Sequence, residues 1–538
     1  MKRLAPVLIA LLLQPACRTI KADTYDRTKV DTTPVDGGTY VEASIGDASF
    51  LNPVLATDSA SNDINNLVYT GLVRYDKDIK LIGDLAESWE ITESGRVITF
   101  HLRKGVTWHD GKPFTSDDVL FTYHVLIDSN TRSAFSADYE LVEKAEAPDP
   151  YTFRVRYKQP FAPALESWGI GILPKHIWEK GDVNENPANR HPIGTGPYMF
   201  QQWVTDEKIV LVANPNFYRG RPHIDRYVYR IIPDMSVQFL ELRQGTLSSM
   251  TPTPDQYNGY QEFFNGYQKF HYPAFQYNYM AFNLENPLFK DVRVRKAIAL
   301  AINKQEIIDG VYQGLAVPAT GPFPPTSWAY NPEVRPVPYD PEQSKRLLAE
   351  AGWKDTDGDG ILDKDGKPFS FALVTNQGNK VRESMALVIQ DGLSKVGIHM
   401  DVRIMEWSVF IHKYVDQKQF ETVLLAWSLS RDPDCFTIWH SSQRGPQQYN
   451  FVGYENPEVD KLLIEGRQTF GVENRKPIYQ KVHKLIADDV PYVFLVVPES
   501  LPVVHKKIIG VEQAPAGIGW NFEEWYIPKA WQKTAWAS

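Results

Sequence analysis

Val97-Ile98-Thr99-Phe100-His101-Leu102 alternates apolar and polar residues, the period of a strand that buries one face and wets the other. A helix is predicted soon after it. Thr115 is placed as N-cap, Asp118 lies three residues on, and Val119, Tyr123 and Leu126 fall on one face. The pairing of such strands with such helices recurs through the chain. Tyr151-Thr152-Phe153-Arg154-Val155-Arg156-Tyr157 and Met400-Asp401-Val402-Arg403-Ile404 carry the strand period. Asp291 opens a helical stripe of Val294, Ala297, Ile298, Ala301 and Ile302. Asp340 and Pro341 supply cap and first-turn proline to a helix faced by Leu347, Leu348 and Ala351, and Gly352 stops it. Asn456-Pro457 repeats that start before Val459, Leu462 and Leu463. The fold class is α/β. Seven prolines from Pro318 to Pro338 predict a long extended connection over the surface.

The 538 residues exceed what one small core serves, so two or three lobes are expected. Net charge is -9, and no lysine or arginine run is long enough to track phosphates, which argues against a nucleic-acid partner. At the N-terminus, Lys2 and Arg3 precede an apolar run, Leu4 to Leu13, and Ala16 stands before Cys17. That is the layout of an export signal, and the run is shorter than the roughly 20 residues a membrane span needs. Leu13-Gln14-Pro15-Ala16-Cys17 resembles a bacterial lipoprotein signal with Cys17 as the lipidated residue. It departs from that pattern in placing leucine four residues before the cysteine instead of three. The alternative is ordinary cleavage near Ala16 and a free periplasmic protein. Residues 1–17 are thus a signal segment, and polar residues 18–35 are expected to form a flexible leash. The chain has two cysteines, so lipidation of Cys17 leaves Cys435 without a disulfide partner.

A search for enzyme chemistry finds no nucleophile elbow, no glycine-rich phosphate loop opening a helix and no zinc-spaced histidine pair. Cys435 with His440 five residues on does not establish a nucleophile, because a lone cysteine is more often simply buried. One segment does carry recognisable chemistry: Asp355-Thr356-Asp357-Gly358-Asp359-Gly360-Ile361-Leu362-Asp363. Asp355, Asp357, Asp359 and Asp363 can converge on a hard cation such as a structural calcium. The same residues build a glycine-aspartate turn without any metal, and Gly366 stands where an EF-hand needs its glutamate. Aromatic residues make up 12% of the chain, with a dense run from Tyr267 to Phe282. Most must be packing, and some can line a ligand cleft.

Several blocks, in order, resemble the family 5 (peptide and nickel class) extracellular solute-binding proteins of ABC importers. They are Leu51-Asn52-Pro53 through Tyr69-Thr70-Gly71-Leu72, Leu85-Ala86-Glu87-Ser88-Trp89, and Thr99 to Val106 with Trp108-His109-Asp110-Gly111-Lys112-Pro113-Phe114. Gly194-Thr195-Gly196-Pro197-Tyr198, Asn214-Pro215-Asn216-Phe217-Tyr218, Asp291 to Ala297, Ile302-Asn303-Lys304 and Gly453-Tyr454 with Asn456 to Asp460 follow. The resemblance implies a two-lobed, hinge-bending periplasmic-binding-protein fold of type II with an inserted domain. Lobe one would take 36–72, 191–285 and 496–538, the inserted domain 73–190, and lobe two 286–495. It also implies an exported, non-enzymatic monomer at the periplasm or outer face of the cell membrane, which closes on a peptide and delivers it to permease subunits.

The same resemblance implies the site. In peptide-binding relatives the stretch matching Ala426-Trp427-Ser428 offers backbone N–H and C=O groups to the ligand, and the segment matching Thr57, Asp58, Ser59 and Ala60 lies across from it. Relatives that bind a free amino terminus place an aspartate three residues past the tryptophan. Here that residue is Ser430, so the ammonium-pairing carboxylate is missing or its job passes to Asp432. The other reading of Asp432 is a turn residue before Pro433. The Trp-Ser-Leu-x-x-Asp-Pro-Asp form, followed by Ile438-Trp439-His440-Ser441-Ser442, is similar to the longer-oligopeptide branch. A non-peptide cargo (nickel chelate, haem, opine or oligosaccharide) and, more remotely, a secreted hydrolase are the competing functions.

Overall fold

A computed structural model describes residues 25–532. The signal segment and Cys17 lie outside the described residues. From Tyr25 onward the expectation of a leash is corrected. Tyr25 packs edge-on against His505 and Trp531, and Arg27 donates to the Ile508 carbonyl at 3.2 Å. An aromatic ring and a guanidinium in an otherwise polar stretch are enough to dock it on the C-terminal segment.

Lobe one is built on a four-stranded sheet in the order Thr39–Ser44, Arg226–Ile231, Lys208–Ala213, Tyr198–Val204. The first pair is parallel and the others antiparallel. A second, three-stranded sheet joins Ser249–Met250, Val503–His505 and Tyr267–Lys269. Between Val73 and the return of the chain at Tyr198 lies an antiparallel sheet, Ala86–Thr92, Val97–Leu102, Thr152–Tyr157, Val142–Asp149, covered by the helix Ser116–Ile127. The Thr115 N–H donates to the Asp118 carboxylate at 3.0 Å, so local capping starts this helix as its sequence predicts. Phe100, Phe153 and Val155 are buried from the strands, and the two phenylalanine rings meet Trp168; this core is continuous with that of lobe one.

Lobe two holds a mixed seven-stranded sheet. Its central order is Tyr272–Pro273, Tyr492–Ser500, Gln276–Phe282, Thr422–Ser428, Ser370–Asn376, His399–Met405, and Ala316–Pro318 also pairs with Tyr492–Ser500. Helices Val292–Ala301 and Lys380–Ser394 cover one face through Val294, Ala297, Ile298, Met385 and Ile389. Helices Pro457–Gln468 and Val472–Asp489 pack on the other side through Val459, Leu463, Tyr479 and Val482. The strand Gln276–Phe282, expected in lobe one, pairs with Thr422–Ser428 and Tyr492–Ser500 inside this sheet. The chain therefore passes between lobes after Lys269 and again between Ser500 and Val503, not at 285 and 495. The aromatic run is what moves the boundary: Tyr277, Tyr279 and Phe282 are fully buried in lobe two, whereas Tyr267 is buried in lobe one.

The proline-rich connection is corrected only in its first part, since Pro332, Pro336 and Pro338 are exposed as expected. Ala319 to Pro324 is buried, and the Ala319 N–H donates to Leu495 O at 3.1 Å. A stretch of small and cyclic residues fits beneath the helices without leaving many N–H groups to satisfy.

Candidate ligand-binding cleft

The strand Thr422–Ser428 is central in lobe two at its start and open at its end. On one side it runs beside Gln276–Phe282 along its whole length. On the other, Ser370–Asn376 pairs only with Thr422 and Val423. The backbone hydrogen bonds fix which groups face the open side. Asn283 N donates to Glu421 O and Leu429 N to Phe275 O, so odd-numbered residues bond toward Gln276–Phe282 and even-numbered ones point away. Leu424 O accordingly accepts from Thr375 Oγ1 at 3.0 Å. The N–H and C=O of Ala426 and of Ser428 emerge from the open edge and meet no backbone partner among the described residues.

That edge borders a cavity of about 530 Å³ between the lobes. Thr57, Asp58 and Ser59 line it from lobe one, and Ala426, Trp427, Ser428, Ser430 and Asp432 from lobe two. Ala60 is corrected: it is 2% exposed and belongs to the core of lobe one, because the helix Ser59–Val68 turns that face inward. Asp58 is the N-cap of that helix, its carboxylate accepting Ser61 N at 2.9 Å and Ser61 Oγ at 2.6 Å. Its carboxylate is thus engaged within its own helix.

Asp432 is not a free carboxylate either. Both its oxygens receive the Arg475 guanidinium, at 2.5 and 2.8 Å, and one also accepts Asp434 N at 2.9 Å. The second bond is the turn geometry expected before Pro433. Arg467, 4% exposed, is gripped by Asp434 at 2.8 Å and by Asp138 of the inserted domain at 2.6 Å. Ser430 donates its hydroxyl to Asp432 O. A second chamber, again about 530 Å³, adjoins the first and shares Asn62, Asp138, Ser430, Asp432 and Asp434 with it. Glu166 faces it; burial, reinforced by the Asp432 charge, pushes that carboxyl up to about 7.

Trp427 packs its ring inside lobe two. It stacks with Tyr279 at 6.3 Å, meets Tyr449 edge-on at 5.2 Å and donates Nε1 to Tyr492 Oη at 3.3 Å. Several other lining residues have no local signal along the chain. Phe323 and Pro324 come from the connection expected on the surface, Arg382 from an amphipathic helix, and Gln447 and Tyr449 from a loop. Only their approach in three dimensions assembles them.

Cys435 is buried, and its thiol is held well above the ordinary range by desolvation; His440 Nδ1 engages Ser442 Oγ instead. In the aspartate loop, Asp355, Asp357 and Asp363 bring carboxylate oxygens within 4.8 Å of one another, and Asp359 does not join them. Backbone donors explain the arrangement. Asp355 accepts from Gly358 N and Gly360 N, Asp357 from Asp359 N, Asp359 from Ile361 N, and Asp363 from Thr356 N.

Two lobes joined by crossing strands, with an open strand edge along the cavity between them, make an arrangement that can be compared with known proteins. Residues 80–448 match the family described as bacterial extracellular solute-binding proteins, family 5 Middle. The chain belongs to the family 5 extracellular solute-binding proteins. Within the family it is 36% identical to the oligopeptide-binding protein AppA of Bacillus subtilis, covering 98% of each chain. The solved AppA structure, in complex with a nonapeptide, superposes with a TM-score of 0.89 over 92% of this chain and 100% of that one. DppA from Helicobacter pylori, in complex with the peptide STSA, is 28% identical with a TM-score of 0.84, covering 92% and 99%. NikZ from Campylobacter jejuni, in complex with Ni(L-His), is 29% identical with a TM-score of 0.83, covering 91% and 99%. The fold is thus the two-lobed α/β fold of this family's binding proteins. No helix among the described residues is long and apolar enough to cross a membrane.

Proposed function

We propose that this family 5 protein captures oligopeptides in the inter-lobe cleft and delivers them to the permease of an ABC importer, breaking and making no covalent bond. The observation that carries the reading is the open edge at Ala426 and Ser428. An extended peptide added there continues the sheet through main-chain hydrogen bonds, which are the same for every side chain. The two joined chambers leave side chains room with water, which suits a mixed cargo. The likeness to AppA, whose structure holds a nonapeptide, supports a cargo longer than a dipeptide. So does the engagement of Asp432 by Arg475, because a dipeptide's ammonium would need that charge for itself.

Closure supplies the signal. Met235 N to Gly378 O at 3.2 Å and Lys380 to Asp234 at 3.3 Å join the two lobes, and on this reading they belong to the closed state. A peptide that touches both lobes favours that state by its differential affinity. The burial of Cys435, which keeps its thiol protonated, and the engagement of His440 by Ser442 favour a binding role over hydrolysis. We place the protein at the outer face of the cell membrane, exported and lipid-anchored through Cys17, as a monomer. Labelling with a radioactive fatty acid tests the anchor: label lost in Cys17→Ala supports it, and label unchanged in that variant removes it.

Native mass spectrometry of protein purified without denaturation tests the cargo. A ladder of co-purifying peptides is expected. A single metal chelate, haem or sugar in its place would overturn the peptide reading, and turnover of added peptide would overturn the non-enzymatic one.

A further inference from the structure

Arg467 ties lobe two to the inserted domain. Its Nη2 reaches Asp138 at 2.6 Å and Asp434 at 2.8 Å, and its Nη1 donates to Ala137 O at 3.2 Å. Ala162 N donates to Arg467 O at 2.6 Å. The inserted domain shares the core of lobe one, so these bonds span the two halves of the molecule. They also hold Glu166, four residues past Ala162, against the lobe-two acids Asp432 and Asp434 across the second chamber.

The charges gathered there do not balance. Asp432 takes the Arg475 guanidinium with both oxygens, and Asp434 and Asp138 share that of Arg467. The other arginines on the chamber wall, Arg74 and Arg219, turn to Asp84, and Arg219 also to Glu523. Arg431, with its guanidinium 4.6 Å over the Phe275 ring, acts on Tyr75. Glu166 is left without a cation at ion-pair distance among the described residues. Its neighbours are the Tyr75 hydroxyl and the Asp432 and Asp434 carboxylates, and Arg475 reaches it only by its field. Like charges crowded in a half-buried chamber disfavour the ionised form, and burial with the Asp432 charge pushes the Glu166 carboxyl up to about 7 from its ordinary 4.5. When the lobes part, Asp432 and Asp434 leave with lobe two, Glu166 regains water, and its carboxyl returns toward the ordinary value.

Resting on the peptide-capture reading, we infer that closure on a peptide is coupled to the uptake of a proton by Glu166. Closed protein holds this proton more tightly than open protein. Closure therefore strengthens as pH falls through about 7, the gain is complete below 4.5, and it is lost as pH rises above 7. Loading is favoured in an acid exterior, and the same proton leaves when the lobes part.

The probe is the tightest binder from a randomised library of N-acetylated, C-amidated nonapeptides without titratable side chains. It carries no charge of its own to stand in for the proton. Calorimetric titration of the intact protein in buffers of different ionisation heat counts the protons exchanged on binding, and its repetition across pH gives the affinity. The native protein should take up about one proton near pH 6, and its affinity should rise about tenfold from pH 7.5 to pH 5.5. Glu166→Gln, uncharged at every pH, should take up less than half as much and flatten the affinity profile. Should that variant fold poorly, Tyr75→Phe serves, since it removes a hydroxyl that favours the anion and should move the midpoint of uptake to higher pH. Binding without proton uptake, uptake unchanged in Glu166→Gln, or a midpoint unmoved in Tyr75→Phe would overturn the linkage while leaving peptide capture intact. No binding by any library member at any pH would overturn both.

Discussion

Replacing Gly378 with alanine puts a methyl carbon where the two lobes meet. The added Cβ would lie 1.8 Å from the Pro233 carbonyl oxygen and 3.1 Å from the Asp234 Cα, both backbone atoms of lobe one. A comfortable contact needs about 3.5 Å, so the lobes must separate by well over an ångström at this point. Gly378 also has φ +78°, which costs alanine about 1–2 kcal/mol. These two effects act on different equilibria. The backbone cost is present in open and closed protein alike and lowers stability, whereas the overlap exists only on closure and lowers affinity. Gly245 separates them: its φ is +76° and an added Cβ there meets nothing within 4 Å. Both alanine variants should therefore lose similar thermal stability. Only Gly378→Ala should weaken binding of a peptide recovered from the native protein, by at least tenfold, about 1.4 kcal/mol of closure energy. Calorimetric titration measures the affinity, and small-angle scattering measures whether ligand still compacts the molecule. Unchanged affinity and unchanged compaction in Gly378→Ala would refute the claim that this contact belongs to the ligand-bound state.

Three further outcomes are expected. His483 is buried, with Nδ1 accepting Asn331 N and Nε2 against Thr320 Oγ1, and burial lowers its pKa to about 4. Its contribution is complete above the ordinary value of 6.5 and is lost as pH falls toward 4, at about 1.4 kcal/mol per unit. Denaturant melts across that window should show a steeper loss in the native protein than in His483→Gln; equal slopes would remove this account. Asp432→Ala leaves the Arg475 guanidinium buried without its counter-charge, and chemical denaturation should register a loss of about 3 kcal/mol. A loss below about 1 kcal/mol would return Asp432 to the list of carboxylates available to a ligand. Because backbone N–H groups already engage Asp355, Asp357 and Asp363, melting curves in chelator and in calcium should superimpose. A calcium-dependent rise in Tm would instead establish metal binding there.

The legible parts of the sequence were those governed by neighbours along the chain. Asp291, Asp340 and Asn456 cap their helices where the spacing places them, and Val97–Leu102 keeps its predicted bounds, because caps and alternation are local physics. Membership of a sheet is not local. Nothing within Gln276–Phe282 announces that its partners are Thr422–Ser428 and Tyr492–Ser500, so the boundary between lobes was misplaced. The same limit governs the site. Asp432 reads as either a turn residue or a free anion until Arg475, 43 residues on, is brought against it. Arg382 reads as one more charge on a helix until the fold sets it in the cleft wall with Asn376, and no carboxylate among the described residues, as its partner.

The open edge at Ala426 and Ser428 has a further consequence for how the molecule coexists with its own copies. An unpaired strand edge is a template on which another chain can grow a sheet, and proteins that keep one on the outside risk aggregation. Here lobe one and the inserted domain roof it over, so the sticky surface is hidden from neighbours and offered only to a guest slim enough to enter. Variants that prop the halves apart should accordingly become prone to self-association at high concentration, even where each lobe keeps its fold.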